Sequence, residues 1–361
     1  MNIENLIQRY QKIEHYISPA SLLTGFVWHL VTLRRIDLLF DNLLVVFYLF
    51  VTGLTILYLN ACQTGRLRGR FFEIGSVIAP FLLQFSIGGL ICSFLIFYGQ
   101  SSTLVVSWPF LAALVLALIG NEFFRKGYQI LTLQICVFFV VVFLYAVFAM
   151  PIIFNRIGVW VFLSSGIVSL GVILLFLWLI RRVSPQAIET SRRQLILTVG
   201  GAYLALNLLY FTNLIPPIPL SLKEGAIAHS VSQTPSGWVV QVEPKPWYLF
   251  YRTNNPVFHW QPGERVYCYA MVFAPTDIKT GIYHRWSVYE TKRGKWVETS
   301  RVRYDIVGGR DGGYRGYSYK QNVVPGGWRV DVENDRGQVL GRLSFEIVEG
   351  KPPALREVVY G

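Results

Sequence analysis

Six stretches of this chain, near residues 39–61, 73–98, 101–121, 130–150, 159–180 and 195–215, run on with almost no charge. A hydrocarbon core roughly 30 Å thick takes about 20 helical residues to cross. Lipid offers no partner to an open backbone, so runs of this length predict membrane helices. A shorter seventh run, 17–33, contains His29 and either crosses or lies at the interface. The polar residues ahead of it, with no small-residue cleavage pattern, argue against a removable signal peptide. The expectation for residues 1–215 is an α-helical polytopic membrane bundle of six or seven helices.

Composition matters here because it changes along the chain. Of 33 Lys and Arg and 21 Asp and Glu, 19 and 14 fall in residues 220–361, leaving 14 and 7 for the longer first part. The net charge of +12 therefore divides as +7 and +5, with no basic block of the kind that binds nucleic acid. Cys62, Cys92 and Cys136 lie in apolar segments and Cys268 is alone in the polar part, which excludes a disulfide framework or a cysteine zinc site there.

Arginine placement sets orientation, since positive loops resist translocation. Arg66, Arg68, Arg70, Arg125, Lys126, Arg181, Arg182, Arg192 and Arg193 fall in loops of one side, and only Arg156 in the loops of the other. That bias sends everything after residue 215 across the bilayer and out of the cytoplasm. Arg34 and Arg35 run against the pattern if all seven segments cross.

Ionisable groups deep in lipid mark transport routes or membrane catalysis. Asp37, Asp41, Glu73 and Glu122 are instead expected near helix ends, in contact with headgroups or water. Gln84 and Gln134 suit interhelical hydrogen bonds, His29 a solvated interface position, and Gly88, Gly89, Ser165, Ser169, Gly200 and Gly201 close helix approach. Pro80 and Pro109 are candidate kinks.

Residues 214–222 read LIPPIPLSL, a stiff proline-rich segment that marks a boundary, with a linker over 216–222. Beyond it hydrophobicity alternates, predicting strands at 237–243, 247–252, 264–274, 282–290, 296–305, 314–321, 327–333 and 339–348. Val266, Cys268, Ala270 and Val272 oppose Tyr267, Tyr269, Met271 and Phe273, so both faces of that strand call for cover. Trp328, Val330 and Val332, with Leu343, Phe345 and Ile347, form an inward set on either side of an Asn334-Asp335-Arg336-Gly337 hairpin turn. Residues 223–361 are thus expected to form an all-β antiparallel sandwich, immunoglobulin-like.

Within this part, His284-Arg285-Trp286, Tyr317-Ser318-Tyr319-Lys320, Pro325-Gly326-Gly327-Trp328-Arg329-Val330 and the closing Gly337 to Gly341 before Leu343-Ser344-Phe345 carry a resemblance. The stretch from Gly281 to Val348 resembles the bacterial domain-of-unknown-function 2914 family, with one extra glycine in the Pro-Gly-Gly-Trp turn. The helical part is also similar to the membrane region that accompanies this domain in some proteobacterial proteins. With the arginine orientation, the resemblance implies an envelope module, a bacterial inner-membrane protein with a periplasmic C-terminal domain, and it supplies no catalytic residue.

Two groups stand out as ligand or partner sites. On one strand, His284 and Trp286 share a face and Arg285 takes the other; the rings either form a stacking platform or fill the core. The segment from Gly308 to Tyr319 combines glycines with Arg310, Arg315 and the three tyrosines Tyr314, Tyr317 and Tyr319, so backbone and flat rings can approach a ligand; a plain hairpin tip is the alternative. His229, His259 and His284 lack ligand spacing, so no metal is expected, and Asp305 with Asp311 gives only a weak acid/base pair. With no Walker loop, His-Glu-x-x-His or Gly-x-Ser-x-Gly, neither an enzyme nor a cofactor is indicated. The leading expectation is a membrane-anchored module that binds an envelope protein or glycan. The alternatives are a bundle that transports or modifies a lipid-like substrate with the sandwich as accessory, and a purely structural subunit.

Overall fold

The computed structural model describes residues 24–33, 38–67, 69–101, 104–123, 130–216, 219–235, 237–249, 254–275, 278–309 and 312–360. Two compact units emerge, one of helices and one of strands; the second takes in residues 216–361 together with the helix connections 101–107 and 151–158.

The helical unit contains α1 (residues 24–32), α2 (Leu39–Gln63), α3 (Arg70–Gln100), α4 (Leu104–Phe123), α5 (Leu131–Phe154), α6 (Val159–Val183) and α7 (Pro185–Phe211). Five of them, α2, α3, α5, α6 and α7, are long and apolar enough to cross a membrane, and α4 contributes a shorter apolar stretch over 107–122. Large apolar side chains such as Phe40, Phe50, Leu174 and Leu204 are exposed along these helices, a surface that suits lipid and not water. The last helix starts ten residues before the expected 195. Pro185 supplies a first turn that needs no N–H donor, and Arg192 and Arg193 then ride exposed on the helix instead of in a loop.

Polar pairs tie the helices. Asn60 donates to Gln134 Oε1 at 2.9 Å, Thr52 to Ser86 Oγ at 2.9 Å, and Asn121 to the Gln84 carbonyl at 3.1 Å, each between different helices. Ser165 donates to the Ala146 carbonyl at 3.1 Å, as close approach requires. A Cβ on Gly89 would stand 2.8 Å from the Tyr48 ring, so only glycine admits that ring. Gly200 and Gly201 face open space among the described residues, and the expected close approach is absent there. Two other readings are corrected: Asp41 and His29 are both enclosed, the histidine beside Tyr48 with Nδ1 2.7 Å from the Gly25 carbonyl. Asp37 lies outside the described residues, as does the side chain of Glu73.

Among its described residues the second unit has eleven strands: β1 (Ser221–Ala228), β2 (Ser230–Thr234), β3 (Gly237–Val242), β4 (Val257–Trp260), β5 (Val266–Phe273), β6 (Lys279–Glu290), β7 (Lys295–Val307), β8 (Tyr314–Lys320), β9 (Gly326–Asn334), β10 (Val339–Glu349) and β11 (Arg356–Tyr360). They form sheets ordered β1-β5-β8, β4-β10-β9-β6-β7 and β11-β3-β2, antiparallel except for the β4–β10 pair. Trp247–Leu249, expected within a strand, is a single 3-10 turn, because Pro244 and Pro246 deny the ladder its donors. The strand β1 begins inside the expected linker, and Leu220 just before it is fully buried.

Alternation explains the layering. Val266, Cys268, Ala270 and Val272 of β5 point at the five-stranded sheet, where they meet Trp286, Trp328, Val330, Val332, Leu343 and Ile347. Tyr269, on the opposite face, packs with Ala226, Ala228 and Val240 beneath the small third sheet. The β-sandwich is therefore thickened by a third layer that covers part of the middle sheet. Trp286 and Trp328 are among the largest fully buried side chains. Each buries about 150–250 Å², roughly 4–6 kcal/mol of gross hydrophobic stabilisation. The hairpin at Asn334 forms as expected, with Gly337 at φ 74° and Asn334 Oδ1 accepting the Arg336 and Gln338 amides at 3.0 Å.

Candidate functional site

The strand β8 lies at the edge of its sheet, and its period of two separates two kinds of surface. Tyr314, Gly316 and Ser318 point inward: Gly316 lies under the Tyr304 ring with no room for a Cβ, and Ser318 is buried. Arg315, Tyr317 and Tyr319 take the other face, with Tyr317 42% and Tyr319 49% exposed.

Register brings further rings alongside. Tyr267 of β5 pairs with Tyr319 and lies between the two exposed rings, with centroids 6.2 Å from Tyr317 and 5.7 Å from Tyr319. Trp238 of β3 adds a ring 5.7 Å from Tyr317, and the exposed Arg265 guanidinium sits 4.8 Å over Tyr319. The result is a continuous row, Trp238, Tyr317, Tyr267, Tyr319 and Arg265, whose adjacent rings are inclined by 39–60°. Such a ribbed surface offers flat apolar faces, phenol donors and a cation within one patch. Beneath it, Tyr269 stacks on Tyr360 at 4.8 Å, and burial pushes its phenol pKa up to about 12, against the pull of Arg315.

Of the seven residues expected to form the site, the six described do not come together. Tyr317 belongs to the row and Arg315 shares its face; Tyr314 packs inward against the core, and Arg310 lies outside the described residues. His284 and Trp286 have no exposed surface, so neither ring presents a face to an external ligand. Trp286 Nε1 donates to Ser318 Oγ at 2.9 Å, while His284 contacts Ser318 Oγ at 2.9 Å and the Tyr304 hydroxyl at 3.1 Å. Burial pushes the His284 pKa down to about 3, so this imidazole is neutral. Tyr319 closes the segment expected to bind, whereas Trp238, Tyr267 and Arg265 are not site residues by sequence, although the paired alternation Tyr267/Tyr269 and Tyr317/Tyr319 is a usable signal.

Arg285 projects from the outer face of the five-stranded sheet. Its Nη2 lies 2.9 Å from Asp331 Oδ2 and 2.7 Å from Glu333 Oε1. Arg342 binds the same aspartate through Nε and Nη2, and Arg329 and Arg301 stand at 3.8 Å and 3.7 Å from Asp331 and Glu333. Both carboxylates are enclosed, and burial raises the Glu333 pKa in spite of Arg285. Arg301 covers the Tyr283 ring at 4.1 Å and Arg329 the Trp296 ring at 4.6 Å. We read this as a network that holds the sheet face, its charges already engaged with one another.

A third cluster joins residues far apart in sequence. Glu243 receives His229 Nε2 at 3.1 Å, His259 Nδ1 at 3.0 Å and the His259 amide at 2.6 Å, while His229 Nδ1 meets Glu264 Oε1 at 2.6 Å. Burial by itself lowers the His229 pKa, but the bonds to Glu243 and Glu264 outweigh it and hold the pKa above the usual value. For Glu243 burial acts upward, and the His229 and His259 bonds outweigh it and bring the pKa below the ordinary carboxylate value. Among the described residues, no group of three or more His, Cys, Asp or Glu is arranged to hold a metal ion.

The family model for a protein domain of unknown function, number 2914, matches residues 279–347, from β6 into β10. No curated protein matches the chain. Among solved structures, the Pseudomonas fluorescens alkylpurine DNA glycosylase AlkC, bound to DNA containing an abasic site analog, is 10% identical over 87% of this chain and 100% of that one. Its TM-score of 0.23 carries no argument about fold or activity.

Proposed function

We propose that this protein sits in a bacterial inner membrane and holds its β-rich unit on the periplasmic side, where the aromatic row binds an envelope polymer or partner. The helical anchor is residues 1–215, followed by the linker 216–222 and the sandwich 223–361. The observation that carries the reading is the contiguous arrangement of the exposed Tyr317 and Tyr319 with the half-buried Tyr267, beside Trp238 and Arg265. Rings inclined to one another fit the puckered C–H faces of sugars, and phenols and a guanidinium fit their hydroxyls and acidic substituents. A glycan is therefore the ligand class favoured over a protein edge. The orientation rests on the arginine asymmetry.

The test is binding of soluble envelope glycan fragments to the full chain in lipid nanodiscs. Replacing Tyr317 and Tyr319 together by alanine removes two exposed contacts and is expected to weaken binding roughly tenfold. Equal binding by the double variant and the parent would refute the site. Capture of a protein by the parent with no glycan bound would refute the ligand class.

A further inference from the structure

We infer that the turn carrying Trp247 and Tyr248 is a second interaction surface, one that seats in the membrane–water interface. Trp247 is 89% exposed, more than any other large hydrophobic residue among those described, and Tyr248 beside it is 58% exposed. Comparable exposure elsewhere falls mostly on helices that meet lipid, whereas this turn belongs to the β-rich unit. The rings are presented rather than left loose. Pro244 and Pro246 restrict the backbone on either side of the exposed Lys245, the Leu249 amide closes the turn on the Pro246 carbonyl at 3.0 Å, and the rings meet edge-on at 6.2 Å.

Trp and Tyr beside Lys is the chemistry of a bilayer boundary, where an apolar ring with a polar tip and a snorkelling amine each find their preferred depth. The length of chain names the occupant. The last helix ends at Phe211 and β1 begins at Ser221, so a connection of ten steps, at most about 35 Å when extended, tethers the β-rich unit to the bilayer that the helices cross. Confinement at that distance gives the turn a high effective concentration of lipid. The +5 net charge of residues 220–361 complements anionic headgroups. The inference does not depend on the aromatic row.

The experiment uses the full chain in nanodiscs of anionic lipid, with or without bromine near the headgroup end of the acyl chains. Subtracting the emission of Trp247→Phe from that of the parent isolates the Trp247 signal, and a ring so exposed can be replaced without unfolding the chain. The isolated signal is expected to be blue-shifted, to lose roughly half its intensity to bromine and to resist aqueous iodide. A signal that iodide quenches and bromine does not would overturn the inference. Shielding from both quenchers would also overturn it, because a protein surface and not lipid would then cover the turn.

Discussion

Replacing Asp331 by asparagine removes one negative charge from an enclosed ion cluster of the β-rich unit. The carboxylate is fully buried, accepts from Arg285 and Arg342 at 2.9 Å, and has Arg329 at 3.8 Å. Removing one partner of a buried pair costs about 3–5 kcal/mol, because the charge left behind has no compensation. The arginine side chains here are 19–30% exposed, and water recovers part of that loss, so the lower end, about 3 kcal/mol, is expected. At roughly 3 °C per kcal/mol for a unit of this size, melting should fall by about 10 °C. The assay is thermal unfolding of the full chain in nanodiscs, followed by near-ultraviolet circular dichroism. The control is Asp305→Asn, whose partner Arg303 stands at the same 2.9 Å but with side chains 56% and 72% exposed, and it should leave melting unchanged. Equal shifts for the two variants would refute the argument, since enclosure would then have no part in the effect.

Three further outcomes follow from the same structure. The His229 pKa is raised above 6.5, so its contribution to stability is complete below that pH and is lost as pH rises through the folded value; the Glu243 pKa is lowered beneath 4.5, so its contribution is complete above that pH and is lost on acidification through its folded value. Melting followed against pH should show both limbs, and His229→Gln should flatten the alkaline one. Gly89→Leu should displace the Tyr48 ring and destabilise the helical unit by about 1–3 kcal/mol, read as a lowered melting temperature in detergent beside an unchanged Gly200→Ala control. A reporter fused after Gly361 that functions only outside the cytoplasm should be active, and its inactivity beside an active fusion of a reporter that works only in the cytosol would refute the orientation.

The helices and the middle strand were legible because their signals are local. Runs of about 20 apolar residues admit one reading, and β5 announced through Tyr269 and Cys268, both fully buried, that each of its faces would be covered. The strands β1, β2, β4 and β11 escaped because they are short or broken by polar pairs such as Lys223-Glu224, and neighbouring layers stabilise them more than their own pattern does. The turn at Trp247 departs from the expected strand because Pro244 and Pro246 stand just before it. The candidate site was harder. Tyr317 was found, but its neighbours Trp238 and Tyr267 arrive from other strands through register, which a linear reading does not contain. The same holds for His229, Glu243 and His259, which meet across gaps of 14 and 16 residues.

The stretch matched by the family model supplies β6, β7, β8, β9 and nearly all of β10, yet Trp286, Val330 and Leu343 within it lean on Ile227, Val266 and Cys268, which lie outside. A fragment cut at 279 and 347 would have a greasy flank with nothing to close it. This chain borrows staves from upstream of the matched segment, so its foldable module is larger than the segment by which it is recognised.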